Sequence, residues 1–463
     1  MSLTKKVKTQ SKWFLLIKLI GLFLKLVSIP IISRLINPDI FGQFAIILMI
    51  FEFIRLIIDE TINKIIIINK GYQFSEMIII NLSISLISFL FYLIISTSFE
   101  IQNANLICLM FIISFLISIT APQFSYLEKK MEFKKVYLIK LISSFFGNVL
   151  IVIILAYNDF GLKSLVYGLI LTEILATIMI ILYSKVKLNK ISKSSFFEIK
   201  KNLGIVTLIQ FINKIATQID YLIVKFFFGD YYLGLYFRSY KLINLPTSIA
   251  GTLINRVGLS ALSNNEITIK KQKDIFLILF GLFSYSLPIL YIVHLFSYEI
   301  ITLLLGDEWV QANSIFKIII FGIYFKLVYK ISSTILMSNK NFVQLLKQMI
   351  FYVLGIMIFL SAGSYYFGII GLSFGLLISL IVPFIYSLWH LKKLINYSII
   401  ELISLVYPSL SVVLLIICLK NIPEFEVLSI LAIILIILVS YFYFNSIYFM
   451  SKHHLKIIKT VYK

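Results

Sequence analysis

Runs of roughly twenty apolar residues recur from one end of this chain to the other, and no soluble core can absorb so many of them. Windows of that length centre near residues 25, 50, 87, 115, 148, 173, 215, 243, 286, 325, 357, 380, 411 and 438. That makes fourteen expected spans in an all-α polytopic membrane protein. The windows near 50 and 286 and the close pair at 357 and 380 are the least sharply bounded, which leaves twelve as the alternative count. The first run continues past Ile29 to Leu35 with no small-residue cleavage site, so it reads as a retained span and not as a removable signal.

The formal net charge is +21, and its placement decides what it means. The N-terminal tail and every second connection are basic, including residues 127–136, 184–201, 256–273 and 451–463. The alternate connections, at 37–40, 96–103 and 297–309, carry acids and almost no cation. Short loops rich in Lys and Arg stay on the cytoplasmic side. Fourteen spans with both termini cytoplasmic satisfy that rule, with only Lys163 and Lys420 on the far side. The basicity is therefore a topology signal and implies no nucleic-acid partner. Cys108 and Cys418 both lie in apolar runs far apart, which argues against a disulfide or a metal pair. No stretch between spans is long enough for a soluble catalytic domain, so an enzyme is not expected.

The chain can be laid on itself with a shift of 192 residues. ISRLINPDIFGQF (32–44) then falls on VKFFFGDYYLGLY (224–236): a cationic helix end, a short acidic turn, an aromatic or Leu, a Gly and a new helix. Two halves starting at spans 1 and 7 in one orientation would be parallel repeats, with substrate expected between them. The division that follows is a six-helix bundle at 1–190, a second at 191–395, and two further helices with a basic tail at 396–463.

A charge at mid-bilayer is costly, so cations inside spans mark protein-lined or water-filled places. Twelve remain once loops and tails are removed: Lys18, Lys25, Arg34, Arg55, Lys140, Lys214, Lys225, Arg238, Lys241, Lys317, Lys326 and Lys330. Eleven of them fall in spans 1, 2, 7, 8 and 10. Lys18, Arg34, Lys140, Lys225 and Lys330 can snorkel to an interface. Glu52, Arg55 and Asp59 share one helix face and can neutralise one another. Lys25 is harder to place, about 18 Å beyond Trp13 with no acid in its own span. Lys214 is about as deep in span 7.

Lys25, Lys214, Arg238, Lys241 and Lys326 form a candidate anion-binding set, joined by Lys18 and Lys317. Asp220 and Glu173 are expected to pair with Lys214 or Lys241, in preference to relaying protons or sodium, and are too few to neutralise the set. Surplus positive charge in a low-dielectric cavity suits phosphate or an acidic sugar. His294 reads as a packed or interfacial side chain.

Several passages together resemble the Wzx-like polysaccharide flippases of the multidrug/oligosaccharidyl-lipid/polysaccharide exporter superfamily. They are RLINPDIFGQFAI (34–46), YLEKKMEFKKVYLIKLISS (126–144), FGLKSLVYGLI (160–170), IDYLIVKFFFGDYYLGLYFRSYKLINLP (219–246) and LGDEWVQANSIFKIII (305–320). The pattern departs from the family at Glu60 and Thr61, where Gly is common, and at 256–264, which lacks a Pro. The resemblance implies two six-helix bundles, two extra C-terminal helices, and alternating access around a cationic cavity. It implies an undecaprenyl-pyrophosphate-linked oligosaccharide as substrate, for a capsule, O-antigen or teichuronic-type polymer. No cofactor is implied; coupling to H+ or Na+ and contact with other polysaccharide-assembly proteins stay open. The rivals are a drug or lipid II exporter of the same superfamily, disfavoured for cationic drugs by the cations, and a membrane-embedded polymerase or ligase, disfavoured by the absence of a long outer loop.

Overall fold

In the computed structural model of the chain the described residues are 3–56, 58, 74–98, 103–184, 193–254, 269–339 and 341–420. Among them every regular element is helical and no strand occurs. Among the described residues seven helices are long and apolar enough to cross a membrane. Thirteen of the fourteen expected windows fall on described helical segments, and the one near 438 lies outside the described residues.

Two compact units divide the chain. The first takes Met1–Arg238 and Ile301–Gln311, the second Ser239–Ile300 and Ala312–Lys463.

In the first unit, α1 (Leu3–Leu35) turns directly into α2 (Pro38–Arg55). The sequence NPD specifies that turn. Asn37 caps α2 by accepting from the Ile40 amide at 3.2 Å, Pro38 takes a first-turn position that needs no N–H donor, and Asp39 complements the helix dipole. Then come α3 (Phe74–Ser98), α4 (Ala104–Lys129), α5 (Phe133–Tyr157, with a π turn at Phe145–Ile151) and α6 (Leu162–Ser184). Phe124 and Leu127 of α4, Val136 and Ile139 of α5, and Ala176 and Ile180 of α6 make one apolar cluster. Lipid is as apolar as such a cluster, so small polar groups add cohesion between helices, roughly 0.6 kcal/mol each. Ser85 and Ser114 hydroxyls lie 2.5 Å apart between α3 and α4, and Asn81 Nδ2 donates to the Ser118 carbonyl at 3.4 Å.

The helix α7 (Lys193–Leu253) is two helices folded back at Gly229, whose φ of 75° an L side chain rarely adopts. The first unit ends just past this turn and is completed by α10, which follows below.

The second unit holds α8 (Ile269–Ser284), α9 (Ser286–Leu295), α11 (Ala312–Ile319), α12 (Gly322–Ser338), α13 (Phe342–Gly355), α14 (Ser361–Ile395) and α15 (Ile399–Lys420). Between α9 and α11 the chain lends the first unit α10 (Ser297–Leu305) from Ile301 on, and a single 3-10 turn at Asp307–Trp309. Like α7, α14 reverses at one glycine, Gly368, with φ 61°. The windows near 357 and 380 are thus distinct segments on either side of that turn. Buried Gln348 of α13 binds the hydroxyls of Ser332 and Ser387, and accepts from Ser333 at 3.1 Å, tying α13 to α12 and α14. α15 packs on α8 and α9, with Val412 and Ile416 against Tyr291, Ile292 and Leu295.

Candidate functional site

Around the α1–α2 turn and the Gly229 turn, the first unit gathers four side chains from four places in the sequence. Phe41, in the first turns of α2, is buried and packs edge-on against Trp309 at 5.5 Å. Trp309 is fully buried and donates its Nε1–H to the Ser33 carbonyl at 2.8 Å, near the end of α1. Arg34 donates to the Leu303 carbonyl of α10 at 2.9 Å. The Arg238 guanidinium lies 3.8 Å from the centroid of the Phe41 ring.

Arg238 is 8% exposed, and no described residue accepts from its Nε or its Nη2. Those two N–H groups point the same way and form the side-on fork with which guanidinium meets a carboxylate or a phosphate through two parallel bonds. The ring of Phe41 offers the cation a weak quadrupolar partner, yet a ring face accepts no hydrogen bond from that fork. A buried charge left so is costly, which gives an incoming oxyanion a large return.

Lys214 is committed differently. Its Nζ lies 2.7 Å from Glu52 of α2, with side chains 11% and 24% exposed, and Phe53 packs on Phe211 beside the pair. The spacing along α2 groups Glu52 with Arg55 and Asp59; the fold gives Glu52 a partner on α7, while Asp59 lies outside the described residues. Asp220 is buried and accepts from the Tyr236 hydroxyl at 2.6 Å across the Gly229 turn, and from the Tyr221 amide at 3.1 Å. Lys225 and Asp230 pair at 2.5 Å over the same turn. Lys25 is exposed in the middle of α1, and Lys18 sits 6.0 Å from the Phe14 ring one turn below. Glu173 is half-buried in α6 and its carbonyl accepts from Thr177.

Within the second unit, Lys326 Nζ donates to the Tyr240 hydroxyl at 2.5 Å and to Asn244 Oδ1 at 3.2 Å. Lys241, next to Tyr240, is exposed. Lys317 is half-buried, and its carbonyl accepts from His294 Nδ1 at 2.6 Å. That bond fixes the imidazole tautomer, and Tyr291 stacks on the ring at 5.8 Å. His294 is a packed histidine, as its sequence context implies.

Sequence reasoning finds the cations and misses the aromatics that hold one of them. Phe41 stands in the turn motif that carries the repeat, and Trp309 in an acidic connection. Nothing in either stretch signals that they meet. The matching position after the shift is Leu233, so even the repeat does not single out Phe41.

A family profile described as polysaccharide biosynthesis protein matches residues 31–314, which takes in every residue of the Arg238 cluster. An uncharacterized membrane protein in the cps region of Klebsiella pneumoniae is 28% identical over 325 residues. The match covers 67% of this chain and 66% of that one, so the chain spans just under two thirds of that relative's length. Among solved structures, a lipid II flippase MurJ in an inward closed conformation superposes with a TM-score of 0.77 at 17% identity, over 94% of this chain and 99% of that one. An inward-facing multidrug resistance MATE family transporter of the MOP superfamily superposes at 0.57 and 14% identity, over 82% and 96% of the two chains. At these identities the likeness shows a shared transporter fold.

Proposed function

Because the chain belongs to the polysaccharide biosynthesis protein family, we propose that it is a flippase carrying an undecaprenyl-pyrophosphate-linked oligosaccharide across the bacterial cytoplasmic membrane for cell-surface polysaccharide synthesis. The observation that carries this reading is Arg238, a buried guanidinium against the Phe41 ring whose bidentate fork has no acceptor among the described residues. A diphosphate bridge or a uronic acid carboxylate is the chemistry that such a fork recognises. Lys25, unneutralised in α1 by any acid of its own span, is the second cation assigned to the anionic head. The polyprenyl tail stays in lipid while the head crosses by alternating access, with a proton or sodium gradient as the driving force. No bond is made or broken in this cycle, and both termini are cytoplasmic.

The test is a flipping assay in proteoliposomes with a labelled undecaprenyl-pyrophosphate oligosaccharide, comparing wild type with Arg238→Gln and Lys25→Gln. Loss of transport with retained folding is expected. Undiminished transport by both variants would remove the anion-site assignment and leave the fold untouched. The fold shared with a lipid II flippase favours one second reading, lipid II itself as cargo. The same assay with labelled lipid II separates the two.

A further inference from the structure

Between Trp309 and Ile400 the chain contains no Asp or Glu, and three of its lysines, Lys347, Lys392 and Lys393, are exposed at one end of the second unit. They converge there because the start of α13 and the end of α14 run side by side. The Tyr386 hydroxyl donates to Gln344 Oε1 at 2.7 Å between the two helices, and Phe351 packs on the Tyr386 ring at 4.7 Å. From Tyr386 a continuous aromatic path leads outward: its ring meets His390 at 4.5 Å, and His390 meets Trp389 at 4.8 Å. Lys393 closes the path, its ammonium 3.6 Å from the centroid of the Trp389 ring. Lys347, on the other helix, is three residues beyond Gln344, the partner of Tyr386.

Three features of this cluster point to one ligand. Trp389 is 54% exposed at a helix end, the depth at which tryptophan settles at the boundary between acyl chains and headgroups. On the same two helices Ile385 and Val343 are also exposed, as a flank facing lipid tails would be. Above it, no described carboxylate pairs with any of the three lysines. The nearest acid in sequence, Glu401, is taken by Lys273 at 2.8 Å and by the Ser398 amide. A tryptophan at the acyl boundary beneath a focus of unpaired ammonium groups is complementary to an anionic lipid phosphate held with its chains alongside the helices.

We propose that the α13–α14 end is a binding site for an anionic phospholipid headgroup, with Lys347, Lys392 and Lys393 on the phosphate and Trp389 against the glycerol and upper chains. The site lies within the second unit and needs no particular transport substrate.

Tryptophan fluorescence tests it, because the protein has three tryptophans and Trp309 is fully buried. In a Trp13→Phe background Trp389 is the exposed emitter. The protein is placed in phosphatidylcholine vesicles containing either brominated phosphatidylglycerol or brominated phosphatidylcholine. One lysine near an anionic surface changes local lipid occupancy roughly fivefold, so brominated phosphatidylglycerol is expected to reach half-quenching at a mole fraction at least about fivefold lower. High salt, and the triple variant K347Q/K392Q/K393Q, should bring the two lipids to parity without altering quenching by brominated phosphatidylcholine. Parity in the unsubstituted lysine background overturns the proposal, as does a preference that survives both high salt and the triple variant. Relief of the preference by added inorganic diphosphate, at an ionic strength where chloride does nothing, would assign the site to free phosphate and also overturn it. The salt arm uses a protein with its lysines intact, so the result does not depend on the triple variant folding.

Discussion

Gly42 and Gly234 are each pressed into the turn that precedes the other. A Cβ on Gly42 would lie 2.6 Å from the carbonyl carbon of Asp230, and a Cβ on Gly234 would lie 2.6 Å from that of Pro38. The shift of 192 residues that aligns the chain with itself carries Pro38 to 230 and Gly42 to 234. The contact is therefore reciprocal in the sense of an isologous interface, each copy of the motif receiving the other at the same position. All four residues belong to the first unit.

Since both glycines serve one close approach, their substitution should not add. Gly42→Ala and Gly234→Ala are each expected to cost about 1–3 kcal/mol through overpacking. The double variant should cost little more than the worse single, because opening the contact once relieves both clashes. Thermal unfolding of the purified proteins in detergent measures this. Additive costs would mean that the two positions act separately.

For Arg238 the distinction is between charge and shape. Arg238→Lys keeps the cation and discards the fork, and a hydrogen bond to a charged group is worth about 1.5–3 kcal/mol. Substrate affinity of R238K should fall by about tenfold or more in the flipping assay, with stability near wild type. A lysine variant as active as the parent would show that the site reads charge alone.

The Lys214–Glu52 pair gives the opposite expectation. Lys214→Gln removes the ammonium from a half-buried carboxylate and should destabilise by about 2 kcal/mol. The exchanged variant K214E/E52K should recover most of that loss in the same unfolding measurement. Recovery of stability together with transport identifies the pair as structural. Recovered stability without transport would mean that the position of the ammonium matters to the cargo.

His294 donates to a carbonyl and stacks on Tyr291, and both jobs can be done without titration. His294→Asn places an amide N–H where Nδ1 stands. Its transport rate and pH profile are expected to follow wild type. A flattened profile would make this imidazole a proton carrier.

The helices are legible in the sequence because lipid enforces length and apolarity on each one separately, and even the crowded 357 and 380 windows separate correctly. Their turns are less so. At Gly368 one residue reverses the chain with no polar loop to mark the event, whereas at Gly229 the adjacent Asp230 marks it. The cations of the site are legible for a similar reason, since a charge in an apolar run stands out alone. Their partners are not. Periodicity compares residues along one helix and so pairs Glu52 with Arg55, while Lys214 reaches Glu52 from 162 residues away. The Arg238 stack is less visible still, since Phe41 and Trp309 are two aromatics among seventy-one and become a platform only when three segments meet.

The loan of residues 301–311 to the first unit sets a clock on synthesis. Trp309 closes over Ser33 and Phe41, yet it leaves the ribosome after a further stretch of roughly seventy residues has followed Arg238. At about 5–20 residues per second that is a delay of about 4 to 14 s, during which Phe41 lacks its indole and Ser33 its donor. A nascent chain arrested before Trp309 should hold a first unit that is inserted but not yet locked.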